Sequence, residues 1–319
     1  MTMGSSGSSR RQLRLPADAS GRLDRALADL LGLGRAVLKE AFALGRVRLD
    51  GKRVRGSEPA RPGAEVDLEL DELGPPVPDP DVPLSILLES PRFLVAEKPA
   101  GVATHPLVAG ERGTLANAVI ARYSECAEAS ADAREGGAVQ RLDHETSGCV
   151  LFARDRAAWD ALRAQFTERS VDKIYLALVF GRLSAGGVVS VPLAQHGRRV
   201  VPAPDAIAEE RLRAKGAARP RPAETHYEVI RALPHHTLLE VRIVTGVMHQ
   251  IRAHLAHLGY PVVGDALYGG EASRLPGLDR HFLHAARLGF ERPEGGRAEV
   301  QSPLPTELEK LLERLAAEG

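Results

Sequence analysis

The stretch from Val139 to Asp155 constrains this chain more than any other. It places Asp143 two residues after Arg141, and a Thr-Ser-Gly turn then leads into the apolar run Cys149–Ala153. That order predicts a charged loop that feeds a buried strand, with Asp143 at the mouth of the strand. A carboxylate in such a position can act as a nucleophile or a base rather than as a solvated surface charge.

The nine residues from Gln140 to Gly148 resemble the His-Arg-Leu-Asp-x-x-Thr-Ser-Gly motif of the large-subunit rRNA pseudouridine synthase family, A/C/D type. Only the first position departs from the motif, where this chain has Gln140 instead of His. The resemblance implies that a uridine in RNA is isomerised to pseudouridine, with Asp143 as the catalytic carboxylate. Asp143 would either attack the anomeric carbon of the ribose or remove a neighbouring ribose proton, and both roles stay open.

Two further segments resemble motifs of the same family. Residues 98–106 match Lys-Pro-x-Gly-x-x-x-His-Pro, and residues 173–177 match Lys-x-Tyr-x-Ala. The resemblance implies that Tyr175 stacks on the target base and assists removal of its proton, although periodicity alone favours a core tyrosine. For Lys98 two interpretations stay open: contact with a phosphate of the substrate, or a turn shaped by its Pro and Gly neighbours.

The segment Thr245–Gly269 predicts a helix over about His249–Leu258. Its apolar residues at i, i+4 and i+7 are predicted to face the core, namely Ile251, Leu255 and Leu258. Arg252 lies off that face. The resemblance places it against Asp143, where a neighbouring cation favours the charged form of a carboxylate.

The same segment carries a departure from the family at Val247-Met248, where Arg-Thr or Arg-Ser is usual. This departure predicts a lost contact to RNA or to a neighbouring loop. His249, His254 and His257 do not share one helix face and have no carboxylate or cysteine at ligand spacing, which argues against a metal site. The catalytic candidates are therefore Asp143, Tyr175 and Arg252. The candidate RNA contacts in this domain are Arg141, Lys98, His105, Thr146 and Gln250.

Residues 12–72 predict a small α+β unit. Leucines at helical spacing predict one helix, Arg35–Leu44 predicts a second, and Asp50-Gly51 predicts a hairpin turn between short basic strands. The first 61 residues hold 13 Lys and Arg against 6 Asp and Glu, a net charge of +7 that a general preference for Arg would also produce. The pattern resembles the RNA-binding domain first named for small-subunit ribosomal protein four, with Gly34 where that family has Ser. The RNA contacts that this resemblance implies are Arg22, Arg35, Arg46 and Lys52.

Composition divides the chain into four stretches. Residues 1–11 are Gly/Ser-rich and predict a disordered N-terminus. Residues 73–83 hold five prolines and predict a stiff, extended linker. Residues 84–319 are expected to form the catalytic domain. Within it, residues 197–222 form a basic, Pro/Ala-rich stretch with little periodicity, which predicts a surface excursion that either contacts RNA or has no function. The expected fold class is α+β, with a mixed, mostly antiparallel sheet and flanking helices, plus the small α+β RNA-binding domain.

Charge and cysteine content indicate which partners and which cellular compartment to expect. The formal net charge is zero, so an RNA site requires a local basic patch, which binds phosphates through counterion release. Cys126 and Cys149 form neither a disulfide framework nor a metal-ligand spacing, which favours a reducing, cytoplasmic setting. No apolar run reaches the ~18 residues of a membrane span. We expect a monomer without a membrane partner that binds RNA. Large-subunit rRNA, the commonest target in the family, is the expected substrate, and tRNA is the alternative. No cofactor is expected, because the implied reaction adds and removes nothing in net.

Two other functions stay open. A non-catalytic RNA-binding or ribosome-assembly factor on the same scaffold is suggested by the departures at Gln140 and Val247-Met248. An unrelated hydrolase would use Asp143 with His144, but adjacent residues of an extended segment point to opposite sides. A hydrolase would shorten RNA, whereas an isomerase leaves its length unchanged.

Overall fold

The N-terminal part of the chain folds into a four-stranded antiparallel sheet with two helices. The structure is a computed structural model that describes residues 8–31, 35–71 and 74–317. The N-terminal elements are β1 (Ser8–Arg14), α1 (Leu23–Leu31), α2 (Arg35–Ala43), β2 (Val47–Leu49), β3 (Lys52–Arg53) and β4 (Glu65–Asp71). The strand order is β1-β4-β2-β3. Asp50 and Gly51 have φ values of 50° and 76°, as a two-residue hairpin turn between β2 and β3 requires.

The prediction of a disordered N-terminus is wrong for residues 8–11. These residues belong to β1, which pairs antiparallel with β4 in the register Ser8↔Asp71 to Arg14↔Glu65. The Gly/Ser composition predicts disorder for an isolated segment, but β4 offers a row of backbone donors and acceptors to which the segment pairs. Residues 1–7, for which disorder was also predicted, and Gly34, the departure before α2, lie outside the described residues.

The second part of the chain is built on a nine-stranded sheet. Its elements are β5 (Ser85–Glu89), β6 (Phe93–Lys98), α3 (Leu115–Arg122), β7 (Ser147–Ala153), α4 (Arg156–Glu168), β8 (Asp172–Phe180), β9 (Gly187–Val189), β10 (Leu193–His196), β11 (Arg199–Pro202), α5 (Ala206–Ala214), β12 (Thr225–Ala232), β13 (His236–Ile243), α6 (Gln250–His257), β14 (Leu283–Glu291), β15 (Arg297–Gln301) and α7 (Thr306–Ala317). The sheet order is β5-β6-β7-β14-β8-β13-β12-β9, and β15 pairs with β14. Of its strand pairs only β7 with β14 is parallel. The prediction of a mixed, mostly antiparallel sheet with flanking helices is confirmed.

Strand β7 lies at the centre of two hydrophobic layers, and this fixes the position of the loop before it. All seven of its residues are buried. Leu151 packs on one side with Trp159 and Leu162 of α4, while Val150 packs on the other side with Ile120 of α3. Successive strand residues face opposite sides, so a strand buried on both faces reads as an unbroken apolar run.

The proline-rich segment is bound to the catalytic domain rather than extended away from it. Asp79 N–H donates to the Asn117 carbonyl of α3 at 3.0 Å, and Asn117 Nδ2 donates to the Val77 carbonyl at 2.7 Å. Asp79 and Val82 are buried. Prolines stiffen the backbone, but these hydrogen bonds and buried side chains make residues 77–82 part of the domain surface.

One further prediction about the second domain is wrong, and one stretch holds more regular structure than its sequence indicated. Residues 197–222, predicted as a surface excursion, contain regular elements, because Arg199–Pro202 pairs with Leu193–His196 in a hairpin and Asp205 caps helix α5. The hairpin turns at Gly197, whose φ of 64° is accessible to glycine without strain. Leu258 does not face the core and is 37% exposed, since α6 ends at His257 before the helical periodicity reaches it.

Candidate active site

Asp143 lies in an irregular loop that ends where β7 begins. The Thr146 N–H donates to the Asp143 carbonyl at 3.0 Å and closes a turn there. The Asp143 side chain is 21% exposed and lines a cleft of about 670 Å³. The sequence-based prediction of a charged loop that feeds a buried strand is confirmed.

Lys98 holds this loop from below, and the prediction that it contacts a phosphate is wrong. The side chain is fully buried, and Nζ donates to the carbonyls of Pro99 at 2.9 Å, Val102 at 2.5 Å and His144 at 2.8 Å. These bonds use all three N–H groups of the ammonium, so none is left for a substrate. Burial lowers the pKa of Lys98 to about 7.

Arg280 and His281, which were not among the candidates, support the other side of the loop. Arg280 Nη1 donates to the Glu145 carbonyl and to Ser147 Oγ, both at 3.1 Å. His281 Nε2 lies 2.7 Å from Thr146 Oγ1. Burial lowers the pKa of His281 to about 3, so its ring is neutral at neutral pH. Thr146, a candidate RNA contact, is buried with 2% of its surface exposed, and its hydroxyl is hydrogen-bonded to His281.

Arg252 bridges Asp143 and a second carboxylate, Asp265, which the sequence motifs did not indicate. Arg252 Nη1 donates to Asp143 Oδ2 at 2.9 Å, the pairing that the family resemblance implied. Its Nε and Nη2 donate to Asp265 Oδ2 at 2.7 Å and Oδ1 at 3.0 Å. Burial by itself lowers the pKa of Arg252, but the bonds to the two carboxylates outweigh it and raise the pKa above the ordinary value. Asp265 therefore fixes Arg252 in a bidentate pair whose remaining N–H faces Asp143.

Tyr175 extends from β8 into the same cleft and is partly buried. Burial raises the pKa of its phenol above the ordinary value, and the nearby charge of Asp143 raises it further. The phenol is therefore protonated at neutral pH. In this form Tyr175 can stack on a base and donate a hydrogen bond, but it is a poor acceptor for a proton from the base.

The cleft is lined by cations around a single described carboxylate, Asp143. Its basic residues are Arg141, Arg163, Arg169, Lys173, Arg221 and Arg252. Arg141 is exposed at the rim. Lys173 is buried and donates to the Thr245 carbonyl at 3.2 Å, so it is less available than Arg141. Such a local excess of positive charge attracts the phosphates of RNA although the whole chain has no net charge.

Gln250 shapes the cleft but has no free amide group for RNA. Its Oε1 accepts from Thr245 Oγ1 at 2.8 Å and from the Val247 N–H at 3.1 Å. Its Nε2 donates to the Glu224 carbonyl at 2.8 Å and to Thr225 Oγ1 at 3.0 Å. The prediction of a direct RNA contact by Gln250 is therefore wrong, because its amide oxygen holds the loop before α6 and its amide nitrogen holds the start of β12.

The two departures from the family motifs have local explanations. Gln140 Oε1 accepts from the Leu151 N–H at 3.3 Å, which ties the start of the loop to β7. Val247 and Met248 pack against an apolar cluster that includes Val200 and Ala253. An apolar pair at that position suits the hairpin of β10 and β11, which supplies Val200.

His105 lies outside the residues that line the cleft. Its Nδ1 is buried and has no hydrogen-bond partner among the described residues. Burial lowers the pKa of His105 to about 4, and the charges of Arg141 and Arg134 lower it further. The role of His105 in RNA binding stays a prediction.

The four candidates of the N-terminal domain differ in their surroundings. Lys52 is exposed on β3. Arg22 is bound to Asp24 by two hydrogen bonds of 3.0 and 2.6 Å and is half-exposed. Arg46 is partly buried after α2. Arg35 is the first residue of α2, and its side chain lies outside the described residues.

Neither a metal cluster nor a membrane span was found in the part of the chain that the structure describes. Across residues 8–31, 35–71 and 74–317, no three His, Cys, Asp or Glu side chains are grouped so that they could hold a metal ion. None of the helices in these ranges has the length and apolar character to cross a membrane.

A family model described as RNA pseudouridylate synthase matches residues 92–257, just over half of the chain. The chain belongs to this family. The matched range contains Asp143, Tyr175 and Arg252, the three residues that the sequence motifs single out. The family resemblance stated from the sequence and the prediction of an isomerase that acts on RNA are confirmed.

Similar proteins extend the likeness over nearly the whole chain. A protein of Chloroflexus aurantiacus named as an uncharacterized RNA pseudouridine synthase is 40% identical and covers 94% of this chain and 92% of its own length. A protein of Xanthomonas campestris named ribosomal large subunit pseudouridine synthase D is 36% identical, covering 97% and 93%. Among solved structures, human RNA pseudouridylate synthase domain containing 1 superposes with a TM-score of 0.54 at 26% identity, covering 74% of this chain and 95% of that chain. The TM-score supports the predicted catalytic fold.

Proposed function

We propose that this chain isomerises a uridine of large-subunit ribosomal RNA to pseudouridine, with Asp143 as the catalytic carboxylate. The placement of Asp143 carries the proposal, because it is the single described carboxylate in a cation-lined cleft and is held by Arg252 at 2.9 Å. The names of relatives such as the Xanthomonas campestris protein support ribosomal RNA as the substrate.

The reaction breaks the bond between N1 of uracil and the ribose, turns the base over and joins its C5 to the same ribose carbon. The proton on C5 is lost and N1 gains one, so atoms balance without a co-reactant. A uridine in folded RNA must first be flipped out of its stack to reach Asp143. We propose that Tyr175 stacks on the flipped base as a neutral phenol, and that Arg141 binds the RNA backbone at the rim.

The N-terminal domain is proposed to bind RNA in the manner of the domain named for small-subunit ribosomal protein four. Its support is the net charge of +7 in the first 61 residues and the exposure of basic residues such as Arg48 and Lys52 on adjacent strands. We further propose that the chain acts as a monomer in the cytoplasm, where a reducing setting suits its two free cysteines.

The proposal is tested by tritium release from RNA labelled at C5 of uridine. Wild type is expected to release tritium from large-subunit rRNA transcripts and to leave RNA length unchanged. Asp143→Asn, which keeps the shape of the side chain, should lower the rate on the order of 1,000-fold or more. Asp160→Asn is the matched control, because Asp160 is exposed on α4 and pairs only with Arg156 among the described side chains.

Three outcomes would contradict the proposal. Full activity of Asp143→Asn would exclude Asp143 as the catalytic carboxylate. Release from tRNA alone would exclude the rRNA substrate. Tight binding without release from either RNA would favour the non-catalytic factor.

A further inference from the structure

His249 faces the second oxygen of the Asp143 carboxylate. While Arg252 donates to Oδ2, the Nε2 atom of His249 lies 3.9 Å from Oδ1. The His249 side chain is 17% exposed and lines the cleft. Its backbone has φ 54° and ψ 20°, a left-handed conformation that few non-glycine residues adopt. This conformation places His249 at the turn before α6.

The far side of the His249 ring faces Tyr268, whose phenol oxygen also contacts a backbone donor. The Val200 N–H of β11 donates to Tyr268 Oη at 2.9 Å, and Tyr268 Oη lies 3.1 Å from His249 Nδ1. The phenol oxygen thus accepts from Val200, and its own proton is available for Nδ1. Burial lowers the pKa of His249, which leaves the neutral ring with one proton. When Tyr268 donates to Nδ1, that proton is on Nε2, the atom that faces Asp143.

Asp265, which holds Arg252, also holds Tyr268. Its backbone N–H donates to Asp265 Oδ1 at 3.1 Å, and the Arg252 guanidinium lies 5.3 Å from the centre of its ring. The rings of His249 and Tyr268 meet edge to face at 5.8 Å. The orientation of His249 is therefore set by the same buried unit that orients Arg252.

We propose that His249 is a positioning residue for Asp143, held as the Nε2–H tautomer by Tyr268 and the Val200 N–H so that this N–H restrains Oδ1 while Arg252 restrains Oδ2. The inference rests on the proposed function, in which Asp143 is the catalytic carboxylate. At 3.9 Å the contact is longer than a hydrogen bond. We expect it to shorten when Asp143 engages the ribose, as catalytic contacts commonly tighten once substrate is bound.

Three variants distinguish the effect of the N–H donor of His249 from the effect of its ring. His249→Gln keeps an N–H donor at about the distance of Nε2, whereas His249→Asn tolerates the left-handed backbone but is too short to reach Asp143. Tyr268→Phe removes the hydroxyl and keeps the ring against Arg252. We expect kcat to fall on the order of 10-fold in His249→Asn and about 3-fold in Tyr268→Phe, with KM for RNA changed less than about 2-fold and His249→Gln restoring most of kcat. Tyr227→Phe, on β12 and away from the cleft, is the control.

Nitrogen-15 NMR of histidine-labelled protein shows directly which ring nitrogen of His249 carries the proton. Wild type should show a non-protonated Nδ1 and a protonated Nε2 for His249, and Tyr268→Phe should show a mixture of tautomers. A protonated Nδ1 in wild type would overturn the inference. So would an unchanged kcat in His249→Asn when Asp143→Asn is inactive, whereas an active Asp143→Asn would contradict the proposed function itself.

Discussion

Replacement of Asp265 by asparagine tests how strongly the active site depends on its buried ion pair. The Asp265 side chain is fully buried and the Arg252 side chain is 8% exposed, so water screens the pair little. The two carboxylate oxygens of Asp265 accept from Arg252 at 2.7 and 3.0 Å. They also accept from the backbone N–H groups of Leu267 and Tyr268 at 3.0 and 3.1 Å. Whichever way the asparagine amide turns, its NH₂ group faces another donor. Breaking a buried pair in this way costs about 3–5 kcal/mol of the free energy of unfolding.

Urea unfolding at pH 7 measures this loss, and the double variant Arg252→Gln with Asp265→Asn provides the control. The double variant should be less destabilised than the sum of its single variants, because it leaves no unpaired buried charge. Turnover of RNA by Asp265→Asn should also fall, since Arg252 loses the partner that aims it at Asp143. A loss of less than about 1 kcal/mol with an unchanged urea slope would refute the reasoning.

The same pair gives a pH dependence with a defined sign. Burial raises the pKa of Asp265, but the hydrogen bonds from Arg252 outweigh it and hold the pKa below the ordinary value. A carboxyl group whose pKa is lower in the folded chain stabilises the fold above its unfolded value of about 3.9, and loses this contribution as the pH falls through the folded value. The difference in unfolding free energy between wild type and Asp265→Asn should therefore shrink below about pH 4.

Three further predictions address residues that the sequence singled out as RNA contacts. Lys98→Met should lower the free energy of unfolding by about 2–4 kcal/mol by leaving three carbonyls unpaired. Because burial lowers the pKa of Lys98 to about 7, wild type should gain stability as the pH rises from 7 to 10, and Lys98→Met should lack this gain, as urea titrations would show. Gln250→Ala should destabilise the chain by about 2 kcal/mol in the same assay, and a loss of RNA affinity at unchanged stability would contradict this. Lys52→Ala should weaken RNA binding and reduce its salt dependence by about one counterion without a change in melting temperature. Arg53→Ala, which removes donors to the carbonyls of Leu44 and Gly45, should lower the melting temperature instead.

Local sequence signals predicted the elements that position the site. Helix α4 begins at Arg156 because Asp155 caps its first turn, and Trp159 and Leu162 repeat at helical spacing into the core; both signals are local and visible in the sequence. The hairpin between β2 and β3 was predicted for a similarly local reason, the left-handed turn at Asp50 and Gly51. In both cases one short segment carries all the information that the element needs.

The chemistry of single side chains was harder to predict, because it depends on distant partners. The motif around Lys98 contains a cation and a turn, but only the fold shows that the turn and residue 144 surround the ammonium with carbonyls. Asp265 was missed for the same reason, since its partner Arg252 approaches it from a helix. A signal did exist in the buried pair Val262-Val263 just before Gly264-Asp265, because a carboxylate directly after a buried segment requires a partner.

The loop that carries Asp143 shows how an irregular segment becomes rigid enough for catalysis. It has no regular secondary structure, yet the carbonyls of three successive residues are all engaged. The Asp143 carbonyl accepts from the N–H of Thr146, that of residue 144 from Lys98 and from the N–H of residue 101, and that of residue 145 from Arg280. Two of these donors are the buried side chains of Lys98 and Arg280, and Arg280 also pairs with Glu307 of α7. A change of shape in the loop would therefore leave a buried charge unpaired, which is far more costly than the loss of an ordinary turn. This is a physical reason for placing Lys98 and Arg280 beneath the loop instead of in contact with RNA.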